Sequence, residues 1–217
     1  MRLCVLFGVL VLLAACARPL TDSENAFAEA FFGEKLDTSK VSISMGVGLT
    51  PAQPIAKTLR VELVTGTDQA CVRVPQPLAT RQPAQAFAVY NRMHFNPGLY
   101  SGDMALLWPD RVRFPQLLIL GHELTHVWQW QNRSQTAYTP WRALKESFQL
   151  GDPYFAPPGE DRLFFAFGYE QQAAMVEDYL CFLFANPDHP RRHELREILS
   201  PVFPIDAFET SIPRRLN

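Results

Sequence analysis

Gly121-His122-Glu123-Leu124-Thr125-His126-Val127-Trp128-Gln129-Trp130 is the stretch on which the reading of this 217-residue chain turns. It holds the pattern H-E-x-x-H inside an apolar run that begins at Pro115-Gln116-Leu117-Leu118-Ile119-Leu120. Leu117, Leu118, Leu120, Leu124 and Val127 make that run a buried segment of helix length. Residues four apart on a helix share a face, so His122 and His126 can present two imidazoles to one metal ion. Glu123, one step round, can reach a water at that ion without ligating it, which is the arrangement of a zinc hydrolase. With 5 His and 12 Glu in the chain, a chance match is expected roughly 0.006 times. His193-Glu194-Leu195-Arg196-Glu197 opens in the same way but has no second histidine, and it reads as an ordinary charged helix.

Length predicts one domain with a tether. Apolar residues at 47% and aromatic residues at 12% are ample for a core. A net charge of −2 argues against attraction to nucleic acid or to strongly anionic membranes. The 18 prolines exceed the average usage of about 5% and predict many short connections.

Met1-Arg2 followed by the apolar run Leu3 to Leu13 reads as an export signal over residues 1–15 rather than a membrane span. Leu13-Ala14-Ala15-Cys16 resembles the bacterial lipobox. That resemblance implies a lipidated Cys16 as the link to the membrane, and a place in the bacterial cell envelope. With Ala17 rather than Asp after the cysteine, it implies the outer membrane, facing the periplasm. Residues 16–35 are then a lipid-anchored tether and a short helix, with residues 17–20 as tether, and residues 36–217 form the domain. Cys71 and Cys181 remain, either paired in a compartment that permits disulfides or as two separate small buried residues.

Thr21-Asp22-Ser23-Glu24 has the form of a capping box opening a helix that ends before Gly33. Val41–Val47, Leu59–Val64, Cys71–Val74 and Phe87–Phe95 alternate as strands, and Leu99–Trp108 reads as a returning neighbour. Helical spacing follows at 115–132, 141–150, 169–180 and 191–199, and prolines break up the tail. The fold class is therefore α+β, a small, mainly antiparallel sheet packed on the H-E-x-x-H helix.

A catalytic zinc keeps three protein ligands and an open position. His94, His189 and His193 are poor candidates for the third, and Gln129 and Asn132 stand where the longer H-E-x-x-H-x-x-G-x-x-H motif needs Gly and His. Glu170 lies 44 residues beyond His126 at the start of the 169–180 helix, beside the small Ala173 and Ala174. A carboxylate on a buried helix face needs compensation, which an ion supplies. Glu177 is the rival on nearly the same face, and Asp178 can orient a ligand histidine. Trp130 either walls a cleft or packs, and Tyr90, Tyr169 and Tyr179 are candidate donors to a developing oxyanion.

His122-Glu-Leu-Thr-His126-Val-Trp-Gln together with Tyr169-Glu170-Gln-Gln-Ala173 resembles the gluzincin branch of the zincin metallopeptidases. Within that branch it is similar to small metallopeptidase domains found beside bacterial contractile-injection and Vgr/Rhs-type proteins. The resemblance loosely covers residues 87–185. It implies a zincin-like fold with a Glu-bearing helix facing the motif helix, Zn2+ held by His122, His126 and Glu170, Glu123 as general base, and a peptide or protein substrate. The sequence departs from the thermolysin-like pattern at Ala174, where a histidine-orienting aspartate would stand. Two other readings remain open: a non-catalytic zinc-binding envelope lipoprotein serving as a binding or assembly module, and a cell-wall amidase.

Overall fold

The computed structural model describes residues 17–47, 71–76, 84–159 and 163–213. The expected export signal, the lipobox cysteine and the 59–64 strand lie outside the described residues. Strand β1 (Arg18–Pro19) leads into helix α1 (Asp22–Phe32), followed by β2 (Ser42–Met45), β3 (Ala86–Val89) and β4 (Arg92–Phe95). The rest is helical: α2 (Gln116–Gln131), α3 (Arg133–Thr136), α4 (Pro140–Gln149), α5 (Tyr169–Ala185), α6 (Pro190–Leu199) and α7 (Ile205–Ser211).

The strands form one sheet in the order β1-β2-β4-β3. It is mixed rather than mainly antiparallel, because β2 pairs parallel with β4 while both outer pairings are antiparallel. The connection from β2 to β4 spans 46–91, long enough for the crossover that a parallel pair requires. The stretch 87–95 is a hairpin rather than a single strand: Val89 pairs with Arg92 across a turn at Tyr90-Asn91. Alternation persists through a two-residue turn, so the pattern alone hides it. Cys71–Val74 and Leu99–Trp108 form no strand, and the tail that prolines were expected to break up carries α7 after Pro204.

The tether expected at 17–20 belongs to the fold. Glu24, fully buried, accepts from Arg18 Nη1 at 2.7 Å and Nη2 at 2.8 Å, from the Thr21 N–H at 2.8 Å and from the Met104 N–H at 2.7 Å. Four donors satisfy a carboxylate that would otherwise be costly to desolvate. They tie β1, α1 and the 100–104 loop together. The capping box is completed by the Glu24 N–H donating to Thr21 Oγ1 at 3.2 Å.

Phe27, Phe31, Trp128, Phe203 and Phe208 fill the space behind α2 and α5, with ring centroids 4.9 Å apart in the Phe31–Phe208 and Trp128–Phe203 pairs. The two long helices run antiparallel, since Gly121 faces Val176 and Leu180 while Gln129 reaches Tyr169 and Gln172. Gly121 permits this approach: a Cβ there would lie 2.6 Å from Leu180 Cδ1.

Candidate metal centre

His122, His126 and Glu170 converge in the seam between α2 and α5, their potential ligand atoms all within 4.8 Å of one another. Glu170 Oε2 lies 3.3 Å from His122 Nε2 and 3.1 Å from His126 Nε2. The histidines are buried by the neighbouring helix, and Glu170 stands in the first turn of α5, where the helix dipole favours an anion. That helix starts at Gly168, whose N–H donates to Gln171 Oε1 at 2.9 Å, while Glu146 of α4 takes the Tyr169 N–H.

The other nitrogen of each imidazole is already engaged. His126 Nδ1 is 2.9 Å from Gln129 Oε1. The Gln129 amide nitrogen is committed to two acceptors, the Tyr169 carbonyl at 3.1 Å and Gln172 Oε1 at 2.9 Å. Its oxygen must therefore face the ring, so Nδ1 carries a proton that Gln129 accepts, and Nε2 is the nitrogen that faces Glu170. His122 Nδ1 is likewise 3.2 Å from Glu177 Oε2. Glu177 thus orients a histidine rather than serving as the third ligand. Asp178, expected to take that orienting role, instead binds Arg73 at 2.8 Å. The reason is periodicity: seven residues bring Glu177 back to the face of Glu170, and one more turns Asp178 by about 100° away.

These residues could hold a metal ion. Two imidazole nitrogens with their distal N–H groups held, plus one carboxylate, form a borderline donor set with a position to spare. Glu123 supports the fit. Its Oε2 is buried with no hydrogen-bond partner among the described residues. In the metal-free protein burial pushes its carboxyl up to about 7, against the pull of His122 and His126.

No protein-family model matches this chain, and no curated protein does either. Among solved structures, it is similar to the effector domain of Pseudomonas aeruginosa VgrG2b. The two are 22% identical, superpose with a TM-score of 0.47, and are covered over 85% of this chain and 83% of that one.

Tyrosines line the centre, though not the ones expected. Tyr90 packs on Trp130 at 4.6 Å, Tyr169 Oη donates to the Thr136 carbonyl, and Tyr179 Oη donates to Glu209. Trp130 is therefore engaged with the hairpin and with Arg133 rather than with the site. The rings that face the ligands are Tyr138, 6.0 Å from His126, and Tyr154, 5.9 Å from His122. Tyr138 is buried, and its hydroxyl makes no hydrogen bond to a described residue. Burial, with the charges of Glu170 and Glu123, keeps its phenol protonated. Neither tyrosine sits in a motif, so nothing local marked them.

The remaining histidines stay apart from the centre. His94 stacks on Phe87, and His189 caps α6 while lying on Phe182. Cys71 and Cys181 form a disulfide.

Proposed function

We propose that this chain is a zinc-dependent hydrolase of the zincin type, cleaving amide bonds in peptides or proteins from a lipid-anchored position in the bacterial cell envelope. One observation carries the hydrolase reading. Glu123, a buried carboxylate whose Oε2 has no hydrogen-bond partner among the described residues, stands beside two imidazole Nε2 atoms and a carboxylate oxygen that converge on one point. A purely structural site has four protein ligands and no use for such a group.

His122, His126 and Glu170 would hold the ion, which supplies positive charge to polarise a carbonyl and acidify water. Glu123 takes a proton from the attacking water and returns it to the leaving amine. An Oε2 that no described residue engages supports that task, since a general base needs a free oxygen within reach of the water. Tyr138 donates its hydroxyl to the oxygen on which charge develops, a role its unshared O–H and adjacent carboxylates support. Gln129 and Glu177 keep the two rings in the tautomer that leaves Nε2 free.

The test is Glu123→Gln in the full chain. Metal content should stay at one per chain while hydrolysis of a denatured protein falls by roughly two orders of magnitude or more. Full hydrolysis by that variant would remove Glu123 as the general base, and no hydrolysis by the metal-loaded parent would remove the enzyme reading.

A further inference from the structure

We infer that Arg73 is a positioning residue for His122, and that the Cys71–Cys181 disulfide holds Arg73 in place. Metal affinity then depends on whether that bond is oxidised. The inference rests on the metal-centre reading above.

Residues 71–76 carry no strand and no α-helix, so their place is set by what grips them. Among the described residues there are three grips. The disulfide fixes Cys71 to Cys181 on α5. The Gln76 N–H donates to Asp152 Oδ2 at 2.7 Å. Between them, Arg73 Nη2 meets Asp178 Oδ1 at 2.8 Å and Glu177 Oε2 at 3.1 Å. Cys181 lies one helical turn beyond Glu177 and Asp178, so the covalent link roots the segment beside the point where the guanidinium lands.

One oxygen joins the two halves of the argument. Glu177 Oε2 receives both Arg73 Nη2 and His122 Nδ1. Arg73 thereby fixes the rotamer of the carboxylate that fixes the imidazole. It also stands between two carboxylates at adjacent positions, Glu177 and Asp178, which would repel each other without it. Arg73 is about three-quarters covered and Asp178 more so, so a lost guanidinium would leave buried negative charge uncompensated. Neither carboxylate could then be relied on to keep its present direction.

The crosslink joins positions 110 apart in sequence. Without it, bringing Arg73 to α5 must be achieved by the non-covalent grips alone. A dithiol reductant would transfer two electrons and two protons, giving two cysteine thiols and its own disulfide. After that step the Arg73–Glu177 contact competes with a freed segment.

The experiment measures zinc affinity by competition with a chromophoric chelator. It compares the parent chain made under oxidising conditions with Arg73→Ala, Arg73→Lys, Cys71→Ser/Cys181→Ser, and the triple variant with Arg73→Ala. Arg73→Ala should weaken zinc binding by about 10–100-fold, the usual cost of losing a group that orients a ligand. Arg73→Lys should recover part of it, and loss of the disulfide should weaken binding by a comparable factor. In the Arg73→Ala background, removing the disulfide should add less than about twofold, because both act through one contact. Zinc affinity unchanged in Arg73→Ala, or a disulfide effect undiminished in that background, overturns the inference. Reducing the parent with a dithiol and removing the reagent without air before zinc is added gives the same readout without a substitution if the cysteine variants do not fold. A parent with its disulfide intact that takes up no zinc overturns the metal-centre reading itself, and this inference with it.

Discussion

Gln129 Oε1 and His126 Nδ1 lie 2.9 Å apart on the same helix, joined within a single turn. Because the Gln129 amide also reaches Tyr169 and Gln172 on α5, this pair couples the ligand ring to the helix that brings Glu170. Gln129→Leu keeps the volume but removes every one of those contacts. Its zinc affinity should fall by about 10–100-fold, with metal content at saturation unchanged. Chelator competition would measure this, and an affinity equal to the parent's would show that Gln129 only packs.

Glu170 and Glu177 share a helix face but approach His122 from opposite ring nitrogens. Glu170→Gln should therefore lose stoichiometric zinc, since the oxygen facing both Nε2 atoms becomes part of a neutral amide. Glu177→Gln should retain one zinc per chain at lower affinity, because a neutral acceptor still takes the Nδ1 proton. Elemental analysis after dialysis separates them. The reverse pattern would exchange their roles.

The metal-free protein should be most stable in mildly acid solution. Burial favours a neutral Glu177, yet the His122 hydrogen bond and the Arg73 charge hold its carboxyl down at about 2, against 4.5 unperturbed. Burial opposes a charged His122, yet Glu170 and Glu177 raise it from 6.5 to about 10. The depressed group contributes stability above pH 4.5 that is lost as pH falls toward 2. The raised group contributes fully below pH 6.5, and its contribution is lost as pH rises toward 10. Zinc must displace the His122 proton, so its affinity should rise with pH up to about 10, by up to about tenfold per unit for each proton released. Melting temperatures of metal-free and zinc-loaded protein across pH 4–9 should diverge as pH rises; parallel curves would remove His122 from the ligand set.

Gly121 sets the separation of α2 and α5. Gly121→Val would place its Cβ 2.6 Å from Leu180 Cδ1, with Phe27 and Val176 closing the other directions at 3.6 and 3.7 Å. Leu180 is fully buried. The variant should lose about 1–3 kcal/mol by overpacking, read as a lower denaturant midpoint, and should weaken zinc by shifting His122. Stability equal to the parent's would mean that the seam is looser than its contacts indicate.

Much of this protein is decided locally, and that part was legible in the sequence. The H-E-x-x-H helix, the capping box at Thr21 and Glu24, the spans of α4 and α6 and the start of α5 follow from the 3.6-residue period and from cap chemistry. Glu170 was marked, with Glu177 as its rival, by the need to compensate a carboxylate on a buried helix and by the family resemblance. Periodicity even placed Glu177 on the face of Glu170. It could not decide which ring nitrogen each carboxylate meets, because that depends on the antiparallel crossing of α2 and α5, and the crossing is set at Gly121 by side chains more than fifty residues away. Tertiary structure alone brought Arg73 and Cys71 to α5, turned Tyr138 toward His126, drew Arg18 into the sheet through buried Glu24, and made the β2–β4 pairing parallel. Each of those contacts joins residues whose local patterns carry no information about one another. Their partner is chosen by burial and by charge compensation in the folded interior, which no window of sequence contains.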